Sequence, residues 1–171
     1  MREVRFVIPG ALDLPTGGYG YDRRLIAELP AQGWEARHVP LAGGWPFPDA
    51  ALRREAAAAL AAAPDGAVVL GDGLAFGAMP EELERAAARL RLVALVHHPL
   101  GDESGLGEAE SARLIASELR GLAAVREVVC TSHATGRRLE GLGVPAERIT
   151  VAPPGTAPAP RAPGTGDPRS S

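Results

Sequence analysis

Residues 92–106 read LVALVHHPLGDESGL. Five apolar residues, Leu92–Val96, give way to two adjacent histidines, then to Pro99, Gly101 and two acids. An apolar run without alternation is the pattern of a strand covered on both faces, as in a parallel sheet. Open parallel sheets bind ligands just outside the carboxyl ends of their strands. A strand ending on His97 and His98, in a chain with only two other histidines, therefore delivers polar groups to a potential crevice.

Working outward, four more runs share this pattern: Val4–Ile8, Ala67–Leu70, Glu127–Cys130 and Ile149–Val151, with "ARHVP" around Val39 a weaker sixth. Helical patterns lie between them. Tyr21–Leu29 is followed by the stop signal Pro30 and Gly33. Asp49 is placed to N-cap a helix running to about Ala63, and Pro80 suits a first helical position, with Glu81, Glu82 and Glu84 complementing the dipole. From about Gly107 to Ala124, Ile115, Leu119 and Leu122 recur at core spacing. Ser132 is placed to cap a last helix through Leu142. The alternation predicts an α/β fold, a Rossmann-like parallel sheet flanked by helices, in a single domain over residues 1–155. Residues 156–171, "TAPAPRAPGTGDPRSS", are too poor in apolar groups to pack. They are expected to be a disordered Pro/Gly/Ser-rich tail or a truncated interdomain linker.

Composition narrows the function. The chain has 171 residues, 46% of them hydrophobic, and a net charge of −3. All 18 basic residues are arginine, and their scatter argues against a nucleic-acid surface. Without lysine there is no phosphate-binding P-loop of the usual kind. The one cysteine, Cys130, has no partner within the chain and suits a buried strand position. No signal-peptide pattern opens the sequence, and no apolar stretch approaches the roughly 20 residues that span a bilayer. The expected location is cytoplasmic.

Three loops should meet at the crevice: "PGALDLPTGGYGYD" after the first strand, "GDGLAFG" after the third run, and the stretch after Val96. The first does not fit a dinucleotide fingerprint. Its glycines come too late, and "HVPLAG" offers no acid for a ribose. Gly17, Gly18 and Gly20 are either simple turn formers or bare backbone that approaches an anion at a helix start. Because strand neighbours point to opposite faces, His97 and His98 are poorly placed to share a metal. No ligand spacing supports one elsewhere, so neither metal nor cofactor is expected. One histidine either hydrogen-bonds within its loop or faces a polar ligand, and Asp102 and Glu103 are either solvated acids or pocket lining. No G-x-S-x-G elbow supports a serine hydrolase.

Four segments together resemble the N-terminal, acceptor-side domain of family 4 glycosyltransferases, the retaining two-Rossmann-domain (GT-B) class. They are "TGGYGYDRRLIAEL", "LVALVHHPLGDESGL", "VVCTSHATGRRL" and "ERITVAPPGT", in this order. The resemblance implies that Gly17 and Gly18 close on a donor diphosphate and that His97 lies beside the transferred sugar as the catalytic candidate. It also implies that Ser132 borders the same cleft and that Pro153-Pro154-Gly155 begins a hinge. With the crevice residues, the substrate-binding candidates are Gly17, Gly18, Tyr19, His98, Glu103 and Ser132. Where the family often has an aspartate soon after the hinge glycine, this chain has Thr156-Ala157. The implied function is the acceptor-binding half of a retaining hexosyltransferase. Its partners would be a nucleotide-sugar donor, an unidentified acceptor and a separate C-terminal, donor-binding domain, which this chain lacks. Alone, it is expected to be inactive. The alternative is a non-catalytic glycan- or partner-binding Rossmann-like module.

Overall fold

The computed structural model describes residues 2–156; the predicted tail, apart from its first residue, lies outside them. Strands β1 (Arg2–Pro9), β2 (Trp34–Leu41), β3 (Val68–Asp72), β4 (Arg91–Val96), β5 (Glu127–Cys130) and β6 (Ile149–Val151) form one sheet in the order β2-β1-β3-β4-β5-β6. Every neighbouring pair is parallel. The expected Rossmann-like α/β architecture is therefore present. The chain order reverses between β1 and β3, so the crevice at the carboxyl ends of these two strands is the switch point of the sheet.

The central strands are buried because helices cover both faces. Phe6, Val69, Leu92, Ala94, Val96 and Val128 are all sequestered. Strands β2 and β6 sit on the two edges and are less covered, β2 alternating between exposed and covered positions along most of its length. The edge position explains the faint signal of β2 in the sequence, since an edge strand needs fewer apolar side chains.

Helix α1 (Gly17–Glu28) begins earlier than its sequence pattern suggests. Three glycines weaken the helical signal, but Thr16 caps the helix by accepting a hydrogen bond from the Tyr19 N–H at 3.3 Å. Gly17, Gly18 and Gly20 are thus in the first turn rather than in a loop. Asp49 caps α2 (Ala50–Ala61) as expected, through Ala51 and Leu52. The segment read as the loop "GDGLAFG" contains a short helix, α3 (Gly73–Phe76), capped by Asp72. Pro80 opens α4 (Pro80–Ala87).

In α5 (Glu108–Ala124) the covered face comprises Leu114, Glu118, Gly121 and Leu122. Of the expected stripe, Leu122 is fully buried, Leu119 is partly buried against the main core, and Ile115 is partly buried against Gly101. A Cβ at Gly121 would stand 2.4 Å from the Phe76 carbonyl oxygen, so α5 meets α3 along its glycine. Ser132 caps α6 (His133–Gly141) by accepting from the Thr135 N–H at 3.0 Å. Cys130 is fully buried, and burial pushes its thiol up to about 11, as suits a core residue.

Candidate functional site

The site forms where α1 leans on the end of β4. A Cβ at Gly18 would lie 3.3 Å from His97 Cδ2, so glycine lets the imidazole rest against the helix backbone. Asp22 is four residues on, on the same helical face, and its carboxylate is fully buried. His97 Nε2 and Asp22 Oδ1 are 3.1 Å apart, a hydrogen-bonded pair. The Tyr21 ring meets the imidazole edge to face, with centroids 5.6 Å apart. Its hydroxyl donates to the Ala152 carbonyl at 2.9 Å, which ties α1 to the segment after β6. From the other side, the Thr135 hydroxyl donates to the His97 carbonyl at 3.2 Å.

Asp72 completes the cluster from the end of β3. One of its oxygens accepts from the Leu74 N–H at 2.7 Å. Burial pushes its pKa up to about 6, against that hydrogen bond; Asp22 raises it further and His97 lowers it. Burial disfavours the charged form of His97, but the hydrogen bond to Asp22 and the charges of Asp22 and Asp72 outweigh it and raise the histidine above its ordinary value. Tyr19 is held nearby, its hydroxyl donating to the Pro9 carbonyl at 2.6 Å. Burial first, then Asp72 and Asp22, raise its pKa.

Two hollows flank His97. The larger, about 590 Å³, is lined by Gly17, Gly18, Gly20, Tyr21, Arg24, His97, Thr131 and the Pro153-Pro154-Gly155 segment, among others. The smaller, about 330 Å³, is lined by Thr16, Gly18, Tyr19, Asp72, Leu74, His97, His98 and Glu103, together with Gly73. Gly18 and His97 belong to both. The structure thus brings Gly17, Gly18, Tyr19, His97, His98 and Glu103 together.

Ser132 lines neither hollow, its hydroxyl serving Thr135. Asp102 is drawn away by a two-pronged pair with Arg138, both contacts at 2.8 Å. Among the helix donors, Tyr19 N–H is capped, and Gly17 and Gly18 have no intrahelical acceptor. Those two N–H groups stand at the positive end of the α1 dipole, where anions are favoured.

Sequence reasoning missed Asp22, Asp72, Tyr21 and Arg24. The spacing of Asp22 from Gly18 and the position of Asp72 at the end of a strand were the available signals. In chemical terms the arrangement offers a partly exposed imidazole backed by a buried carboxylate, backbone donors, and space on both sides of the ring.

A parallel α/β domain with a polar crevice at its switch point defines a class of ligand-binding scaffold, not yet a function. The family model described as Glycosyltransferase Family 4 matches residues 74–159, half of the chain, and the chain belongs to that family. The matched segment contains His97, His98, Glu103, Ser132 and Pro153-Pro154-Gly155; the glycine turn of α1 lies before it. No curated protein matches the chain.

Proposed function

We propose that this domain is the acceptor-binding half of a retaining hexosyltransferase, working with a donor-binding domain on a nucleotide-sugar donor. The observation that carries the reading is His97. Within a chain of this family, it stands between two hollows that share its ring and Gly18. The larger hollow, with the Gly17 and Gly18 N–H groups and Arg24, suits the donor phosphates. The smaller, with Tyr19, His98 and Glu103, suits hydroxyls of an acceptor. His97 contacts the reacting sugar, and Asp22 fixes the orientation of its ring.

The domain alone holds few charges for a departing diphosphate. Arg24 lines the larger hollow but pairs with Glu28 at 3.0 Å, and no lysine exists. Stabilising developing charge is usually the largest part of such catalysis, and an open face leaves that charge to water. Transfer therefore needs the second domain.

The test is a radiolabelled assay with several nucleotide sugars and a mixed acceptor pool. It compares the chain alone with the chain joined to a family 4 donor-binding domain. Transfer is expected only from the joined protein, and His97→Ala should lower it by about 100-fold or more, the scale of losing one oriented polar contact in a transition state. Steady transfer by the chain alone, or none from the joined protein, overturns the proposal; glycan binding without transfer would leave the non-catalytic module.

A further inference from the structure

We propose that the smaller hollow selects an acceptor bearing an ammonium group, an aminosugar or aminocyclitol, and that Asp72 and Glu103 hold that group. The assignment deepens the acceptor-side reading of this hollow and rests on it.

The charge around the hollow is one-sided. Asp72 and Glu103 line it together with Tyr19, His97 and His98, and no arginine does. A proton on His97 is already matched by Asp22, 3.1 Å away, which leaves the other two acids without a counter-charge. Neither takes part in a salt bridge among the described residues. Asp102, next to Glu103 in the chain, shows the contrast: Arg138 holds it by two contacts at 2.8 Å.

A second observation separates this from a solvated acidic surface. Asp72 is only 3% exposed, yet it reaches the wall of the hollow. Its Oδ1 accepts from the Leu74 N–H at 2.7 Å, while its other oxygen has no hydrogen-bond donor among the described residues. A carboxylate so buried is normally paired or fully bonded. The Tyr19 hydroxyl gives its proton to the Pro9 carbonyl at 2.6 Å, so toward the hollow its oxygen can only accept.

The walls therefore ask for donors and for positive charge. A hydroxyl brings one proton and no charge, whereas an ammonium brings three N–H donors and the missing cation. A phosphorylated or carboxylated acceptor would instead meet two unpaired acids, which selects against it. The volume, about 330 Å³, is at the small end for ligand sites and suits one sugar-sized ring. The larger hollow has the opposite character. Gly17, at the positive end of the α1 dipole, and Arg24 line that hollow alone. An anionic donor and a cationic acceptor are thus sorted to different sides of His97.

The experiment measures binding of free sugars to the purified chain by NMR at about pH 7, where the Asp72 carboxyl is ionised. The amines are glucosamine, galactosamine and streptamine; N-acetylglucosamine, glucose and glucuronate are the comparison set. At least one amine should bind about 25-fold or more tightly than the neutral sugars, and glucuronate should bind most weakly. That figure is about 5-fold per acid, the excess of a charge-assisted hydrogen bond over a neutral one. Asp72→Asn and Glu103→Gln keep the side-chain shape and should each cut the preference about 5-fold, whereas Asp102→Asn, outside the hollow, should retain it. Circular dichroism checks folding, and Glu103 is exposed, so its variant decides the matter even where Asp72→Asn does not fold. Equal affinity for amines and neutral sugars, tighter binding of glucuronate, or no binding of any sugar at tens of millimolar overturns the proposal. So does a preference that survives both variants or is lost equally in Asp102→Asn. No turnover is read, so an amine preference without transfer by the joined protein counts against the transferase reading alone.

Discussion

Glu118 gives a prediction whose sign and size both follow from its place in α5. Its side chain is fully buried. Oε2 accepts from the Leu100 N–H at 3.1 Å, while Oε1 has no partner among the described residues. Burial pushes its pKa from 4.5 up to about 7; the Leu100 hydrogen bond opposes this and Asp102 adds to it. Between these values the folded chain holds a proton that the unfolded chain has released. Stability therefore falls as pH rises through that window, and the loss is complete above about pH 7. A shift of this size corresponds to about 3 kcal/mol in all.

Glu118→Gln removes the titration and keeps an oxygen for Leu100. The introduced amide hydrogens leave a penalty of about 1 kcal/mol that does not vary with pH. Urea unfolding of both proteins at about pH 5 and pH 8 isolates the effect, because other titrating groups cancel in the difference. The variant should gain about 2 to 3 kcal/mol on wild type between the two conditions, with an unchanged m-value. A difference that stays constant with pH would show that this carboxyl does not titrate there, and the argument would fail.

Three other predictions concern separate parts of the molecule. Gly18→Ala should shift the imidazole nitrogen resonances of His97 by forcing its ring away, whereas Gly17→Ala, whose Cβ would meet nothing within 4 Å, should leave them unchanged; equal shifts would refute the close-approach reading. Phe76→Ala should cost about 3 to 5 kcal/mol in denaturant unfolding, because Phe76 is fully buried, while Phe47→Ala, at a residue 53% exposed, should stay within about 0.5 kcal/mol. Calorimetry should detect no NAD or NADP binding, because the glycines stand in the first turn of α1 and β2 ends on Leu41 without an acid; micromolar affinity would contradict this.

What was legible in the sequence divides along physical lines. The strands at the centre of the sheet, such as Leu92–Val96, announce themselves because two-sided burial demands unbroken apolar residues. Caps at Asp49 and Ser132 are equally readable, since the side-chain oxygen and the N–H it serves lie two or three residues apart. The first turn of α1 is hidden because glycine lowers helix propensity, and the burial of Glu118 and Gly121 in α5 does not follow from its apolar stripe. In both places tertiary contact overrides the local preference. The Gly18 backbone accepts the His97 ring, and Gly121 accepts the Phe76 carbonyl.

The same reasoning explains why half of the candidate site stayed unseen. His97 was visible because it breaks an apolar strand. Asp22 was not, since an acid beside two arginines in a helix reads as a solvated surface position. It becomes a buried partner only because the glycine face of α1 lies on the end of β4, which carries the residue four positions on beneath the imidazole. Asp72 reads as a turn acid in "GDG" and does cap α3, yet the parallel register that sets Asp72 beside Leu95 also brings it near His97, two residues further on. Neither carboxylate can be assigned without the sheet order. A glycine spaced four residues from an acid, at the start of a helix that follows the first strand, is therefore the local pattern to seek when a strand elsewhere in the chain ends in histidine.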